Sequence, residues 1–131
     1  MKKIRNIYRI VLDTTGSARD YPRGYEVTIS KDGKFWSNPI AKGKGVSAIT
    51  HIDFNPIAAR HFRIKQTGSV KGLHWSVHEM SVFEKSKIVV RNLDGNSKNN
   101  SLNLCPLVYS WFGRFDPLND SLGWLWIICR I

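Results

Sequence analysis

The chain has 131 residues, 42% of them hydrophobic and 11% aromatic, enough for one domain around one core and too apolar for wholesale disorder. Its net charge of +10 is spread, with 15 lysines and arginines against 7 acids in residues 1–85 and 5 against 3 in the remainder. No basic run reaches five or six residues, so the charge reads as a solvated basic surface, a polyanion-binding patch being the alternative, and nucleic acid is not expected as a partner.

Residues 4–13 form a first strand candidate with Tyr8, Ile10 and Leu12 on one face. The start Met1-Lys2-Lys3-Ile4-Arg5 imitates the basic end of a signal peptide. Arg9 and Asp13 break the apolar run that would have to follow, so a soluble chain without a signal peptide is expected. Residues 14–24 are a polar loop. From Tyr25 to Ser30 the pattern alternates, with Tyr25, Val27 and Ile29 inward. Asp32-Gly33 is a hairpin signal, because this pair readily takes the positive φ angles of a tight reversal. Residues 35–41 are expected to return as a strand, with Pro39 marking an edge or a bulge. Lys42-Gly43-Lys44-Gly45 is a flexible loop that lacks both the spacing and the following helix of a phosphate-binding loop.

Residues 48–54 make another strand, and Asn55-Pro56-Ile57-Ala58 the turn after it. In residues 60–67, Phe62 and Ile64 point to one face and Arg63 and Lys65 to the other. A glycine-bearing loop over 68–74 then leads to a last strand over 77–84. No segment has sustained helical periodicity, and short strands with frequent turns predict an all-β sandwich. Residues 87–131 hold six asparagines and both cysteines, Cys105 and Cys129, and show neither period, so no fold is assigned to them. A disulfide between the two cysteines is open. The absence of any C-x-x-C or Cys/His cluster argues against structural zinc. The apolar run 124–128 is too short to span a bilayer.

If each of the six strands reverses direction, loops 14–24, 42–47 and 68–74 gather at one end of the sandwich. The Asp32-Gly33 and Asn55-Pro56 turns gather at the other. Long loops on a rigid scaffold are where binding residues collect. The loop-bearing end carries Arg19, Asp20, Tyr21, Arg23, Lys42, Lys44, His74 and Trp75; Tyr21-Pro22 reads as packing the loop down, and Arg19, Asp20, Arg23, His74 and Trp75 make a set suited to a sugar. An aromatic ring covers the apolar C–H face of a pyranose, while charged groups direct hydrogen bonds to its hydroxyls. Trp75 or His74 is the candidate platform, and Arg19 or Arg23 with Asp20 the polar set. Trp75 also opens a strand, where it has an alternative place in the core. Arg19, Arg23, His74 and Trp75 are expected to approach one another although some 50 positions separate the two pairs.

Two stretches carry a resemblance. Ala59-Arg60-His61-Phe62-Arg63-Ile64 followed by Trp75-Ser76-Val77-His78-Glu79-Met80 resembles the last two strands of the factor V/factor VIII type C (discoidin) family. Tyr25 to Trp36 resembles that family's Y-x-V-x-x-S-x-D-G-x-x-W strand and turn. The resemblance covers residues 8–85 and implies a jelly-roll β-sandwich over 1–86, like galactose-binding domains, with 87–131 an unassigned tail. It also implies that the domain is incomplete at its N-terminus, its calcium-binding loop and early strands having no counterpart, so no metal or other cofactor is expected. Among the family's branches the chain is most similar to family 32 carbohydrate-binding modules. There a loop arginine falls on Arg19 or Arg23, and an aromatic on His74 or Trp75. The function so implied is a non-catalytic glycan-binding module, part of a larger secreted or cell-surface protein. An adhesion or membrane-surface module is the alternative, and a truncated fragment without function a third. No paired carboxylates, G-x-S-x-G or H-E-x-x-H motif argues for an enzyme.

Overall fold

The computed structural model describes residues 4–85 in full and the backbone of four further strands, at 88–91, 97–100, 106–109 and 126–130. In chain order the strands are β1 (Arg5–Asp13), β2 (Tyr25–Ser30), β3 (Ala41–Gly43), β4 (Ile49–Ala59), β5 (His61–Gln66), β6 (Glu79–Glu84), β7 (Ile88–Arg91), β8 (Ser97–Asn100), β9 (Pro106–Tyr109) and β10 (Trp126–Arg130). Helical structure among the described residues is limited to a 3-10 turn, Thr15–Ser17. Two four-stranded antiparallel sheets, ordered β4-β1-β6-β9 and β10-β5-β2-β3, pack on one core, and β7 pairs with β8. The architecture is the all-β sandwich that the alternation predicts.

One side of that core comes from Tyr25, Val27 and Ile29 on β2 and from Phe62 and Ile64 on β5, all buried as their period-two spacing requires. The opposing sheet supplies Ile10 and Leu12, Ile52, Met80 and Val82. On β1 the inward residue before Ile10 is Ile7 rather than Tyr8. The ladder to both neighbours shifts between Ile7 and Arg9, and such a bulge reverses the parity of every residue before it. Tyr8 packs instead on Phe83, with ring centroids 6.3 Å apart.

Two expected boundaries move. Residues 35–40 form no strand. Asp32 Oδ1 accepts the Lys34 and Phe35 backbone N–H groups at 2.8 and 3.0 Å, and Ser37 Oγ takes the Ile29 N–H at 3.1 Å that a returning strand would have used. Contact with β2 is therefore intermittent until Ile40 N donates to Val27 O at 2.8 Å, and β3 begins one residue later. Nor does Asn55-Pro56 reverse the chain. Ile7 pairs with Ile57 and Arg9 with Asp53, so residues 54–56 bulge from β4, which lies at its sheet's edge, where proline is tolerated. The chain crosses between sheets later, at Arg60, where Ala59 closes β4 and His61 opens β5.

In the tail, β9 pairs with β6 and β10 with β5. The described core side chains run from Ile7 to Val82. The pairing of Cys105 with Cys129 lies outside the described residues.

Candidate functional site

Three loops meet at one end of the sandwich, and the ladders show why. Asp13 of β1 pairs with Ile49 and Glu79, while Tyr25 of β2 pairs with Gly43 and Gln66. The connections 14–24, 44–48 and 67–78 therefore all leave the sheets at that end. The first lies between the other two. Thr14 N and Oγ1 both donate to Ala48 O, at 2.8 and 2.9 Å, and Gly45 N donates to Pro22 O at 2.9 Å. On the other side Thr67 N donates to Gly24 O at 2.8 Å and Ser76 N to Asp20 O at 3.1 Å. At the crossing a Cβ on Gly68 would stand 2.8 Å from the Arg23 carbonyl carbon and 2.9 Å from Gly24 N. Only a residue without a side chain lets the two backbones close.

Between these loops lies an open groove of about 700 Å³, lined by Tyr21 and Arg23, by residues 44–46 and by residues 67–70. The Arg23 guanidinium sits 3.6 Å over the Tyr21 ring, and its Nη2 donates to Arg19 O at 2.7 Å. Stacking and hydrogen bond together fix its plane. Its Nε is buried with no hydrogen-bond partner among the described residues. Lys44 is exposed on the second loop. Arg5, Arg9 and Lys42 pair with Glu84, Asp53 and Glu26, whereas neither Arg23 nor Lys44 forms an ion pair with a described residue. Val46 and Val70 stand 83% and 47% exposed on the rim.

Of the five residues singled out in the sequence, Arg23 alone lines the groove. Arg19 is exposed and lends its carbonyl to hold Arg23. Asp20 is a clamp, its Oδ2 accepting from Ser76 Oγ at 3.2 Å while its backbone carbonyl takes Ser76 N. His74 is exposed on the third loop, outside the groove lining. The platform role for Trp75 requires correction. Its side chain is only 2% exposed and belongs to the core cluster, because so large an apolar surface gains more from burial than a loop position can return. The loops converge as expected, but the five side chains do not form one constellation.

Strand parity places Tyr21 and Lys44 at this end, but neither is among the five candidates, and residues 67–70 supply no candidate either. Tyr21-Pro22 reads as loop packing, and Pro22 is indeed buried, while Tyr21 remains at the groove. The usable signal was the grouping of the Lys42-Gly43-Lys44-Gly45 loop with 14–24 by strand parity.

The described residues do not fit a metal site, since no group of three or more His, Cys, Asp or Glu side chains among them is placed to hold an ion. Among the described residues no helix is long and apolar enough to cross a membrane. A family model described as F5/8 type C domain matches residues 1–80. No curated protein matches the chain, and no solved structure does.

Proposed function

The chain belongs to the F5/8 type C (discoidin) domain family, whose members are generally non-catalytic binding modules, and on that premise we propose that it binds carbohydrate in the groove between its three loops. The observation that carries this reading is the convergence of those loops around Arg23 held flat on Tyr21. Tyr21 offers aromatic surface to sugar C–H groups. The Thr67 and Ser69 hydroxyls can both donate and accept, and Arg23 supplies directed donors. The lining includes no carboxylate, histidine or cysteine, which favours binding without catalysis. Domains of this family usually occur in extracellular or cell-surface proteins, and we place the parent protein there.

Glycan-array binding of the intact chain tests the proposal, with signal expected on a defined subset of saccharides and lost in Arg23→Ala. A charge-assisted hydrogen bond of the kind removed contributes roughly 1.5–3 kcal/mol. The membrane-surface reading keeps one specific observation in its favour, the exposed Val46 and Val70 beside Arg23 and Lys44. Sedimentation with anionic liposomes separates the two. Binding to liposomes without any array signal selects the membrane.

A further inference from the structure

The composition of the groove says more than that it binds. Its side chains include two cationic donors and no carboxylate or amide acceptor. Arg23 and Lys44 carry positive charge, and the only polar neutral side chains beside them are the hydroxyls of Tyr21, Thr67 and Ser69. A neutral sugar presents hydroxyls that donate as readily as they accept, so a site built for one needs strong acceptors, above all carboxylates or side-chain amides. The lining has neither.

The charges, moreover, are uncompensated. No carboxylate among the described residues forms an ion pair with Arg23 or Lys44. Of the guanidinium's five donors, only Nη2 has a hydrogen-bond partner among those residues, the carbonyl of Arg19. Nε is buried and unpartnered, although stacking on Tyr21 and the bond to Arg19 O have already fixed the plane of the group. Nε has no exposed surface and lies out of a ligand's reach, so an anion in the groove meets the Nη donors, and charge-assisted hydrogen bonds from a group already held in one orientation are strong. Val46, Val70 and the Tyr21 ring provide the apolar contact that a sugar ring would use.

We infer that the groove selects acidic saccharides, engaging a carboxylate or sulfate ester on the sugar through Arg23 and Lys44. This rests on the glycan reading above and narrows it to a ligand class. The site is open and carries exposed valines on its rim, which makes anionic vesicles a necessary arm of the test.

Titration calorimetry on the full chain would compare an oligogalacturonate, the same oligomer with its carboxyl groups reduced to hydroxymethyl, a sulfated galactan oligomer, and phosphatidylserine vesicles. The expected result is binding of the uronate or the sulfated oligomer at least tenfold tighter than the reduced oligomer, about 1.4 kcal/mol. Which of the two binds identifies the anion. Lys44→Glu, at an exposed position, is expected to abolish that preference. Lys34→Glu, which makes the same change of charge at the opposite end of the sandwich, is expected to preserve it. Equal or tighter binding of the reduced oligomer overturns the acidic preference and leaves the glycan reading standing. Equal losses in Lys44→Glu and Lys34→Glu overturn it as well, because they show attraction to net charge rather than to the groove. No binding to any saccharide, with or without binding to vesicles, overturns both readings.

Discussion

Trp75 lies next to the functional end in sequence and inside the protein in space. At 2% exposure it is the largest fully buried side chain among the described residues, so Trp75→Ala should cost about 3–5 kcal/mol, a large share of ordinary domain stability. Its Nε1 is buried without a partner among the described residues, and Trp75→Phe removes that atom while keeping much of the ring. Urea melts are expected to show a far smaller loss for Trp75→Phe than for Trp75→Ala. Equal melts for Trp75→Ala and the unaltered chain would return Trp75 to the surface. Asp32 acts at the opposite end. Backbone N–H groups of Phe35 and Lys34 hold its carboxyl down at about 2, against an ordinary 3.8. A depressed carboxyl contributes stability above its unfolded value and loses it as pH falls through the folded one. The contribution of Asp32 should therefore be present above about pH 4 and vanish towards pH 2. Asp32→Asn keeps an acceptor oxygen without the ionisation, so its urea midpoint should fall less between pH 5 and pH 2 than that of the unaltered chain.

Loop 14–24 is the element on which the site depends, since it is bonded to both of its neighbours and supplies Tyr21 and Arg23. Its contact with the third loop is backbone against backbone at Gly24 and Gly68. The atoms that a Cβ on Gly68 would strike belong to the main chain, so no side-chain rotation relieves the overlap. Gly68→Ala is expected to destabilise the protein by about 1–3 kcal/mol. It should also weaken ligand binding, because residues 67–70 would have to withdraw from Arg23. A wild-type melt together with wild-type affinity would show that the loops do not close as described. Asp20 contributes to the same closure from the other end of the loop, through its two bonds to Ser76.

At the scale of the molecule, the two sheets share one core whose described members run from Ile7 to Val82, while β9 and β10 pair along β6 and β5. A chain ending at Lys85 keeps all of those core residues and uncovers one edge of β5 and one of β6. Exposed strand edges are templates for pairing with other chains. The shortened chain is expected to keep a β-type circular dichroism spectrum and a cooperative melt while scattering more light as concentration rises. Loss of the cooperative melt would place the folding unit beyond residue 86. Functionally, the sandwich brings Tyr21 and Arg23, residues 44–46 and residues 67–70 to one groove across more than half of the described sequence.

The amino-acid order alone determined the sandwich and its loop-bearing end, because both follow from local rules. Period-two alternation in Tyr25-Val27-Ile29 and Phe62-Ile64 sets which face is buried, and antiparallel reversal sets which loops share an end. Local rules fail where a residue's fate depends on what lies opposite it. The bulges at Tyr8 and at residues 54–56 arise from matching β1 to its neighbours, so neither Ile7's inward position nor the late crossing at Arg60 was legible beforehand. The same holds for the site. An aromatic beside a polar loop reads alike whether it faces ligand or core, and packing between the sheets took Trp75 and left Tyr21 beneath Arg23. Lys44 joined them because Gly45 bonds to Pro22, a contact between loops that no pattern along the chain encodes.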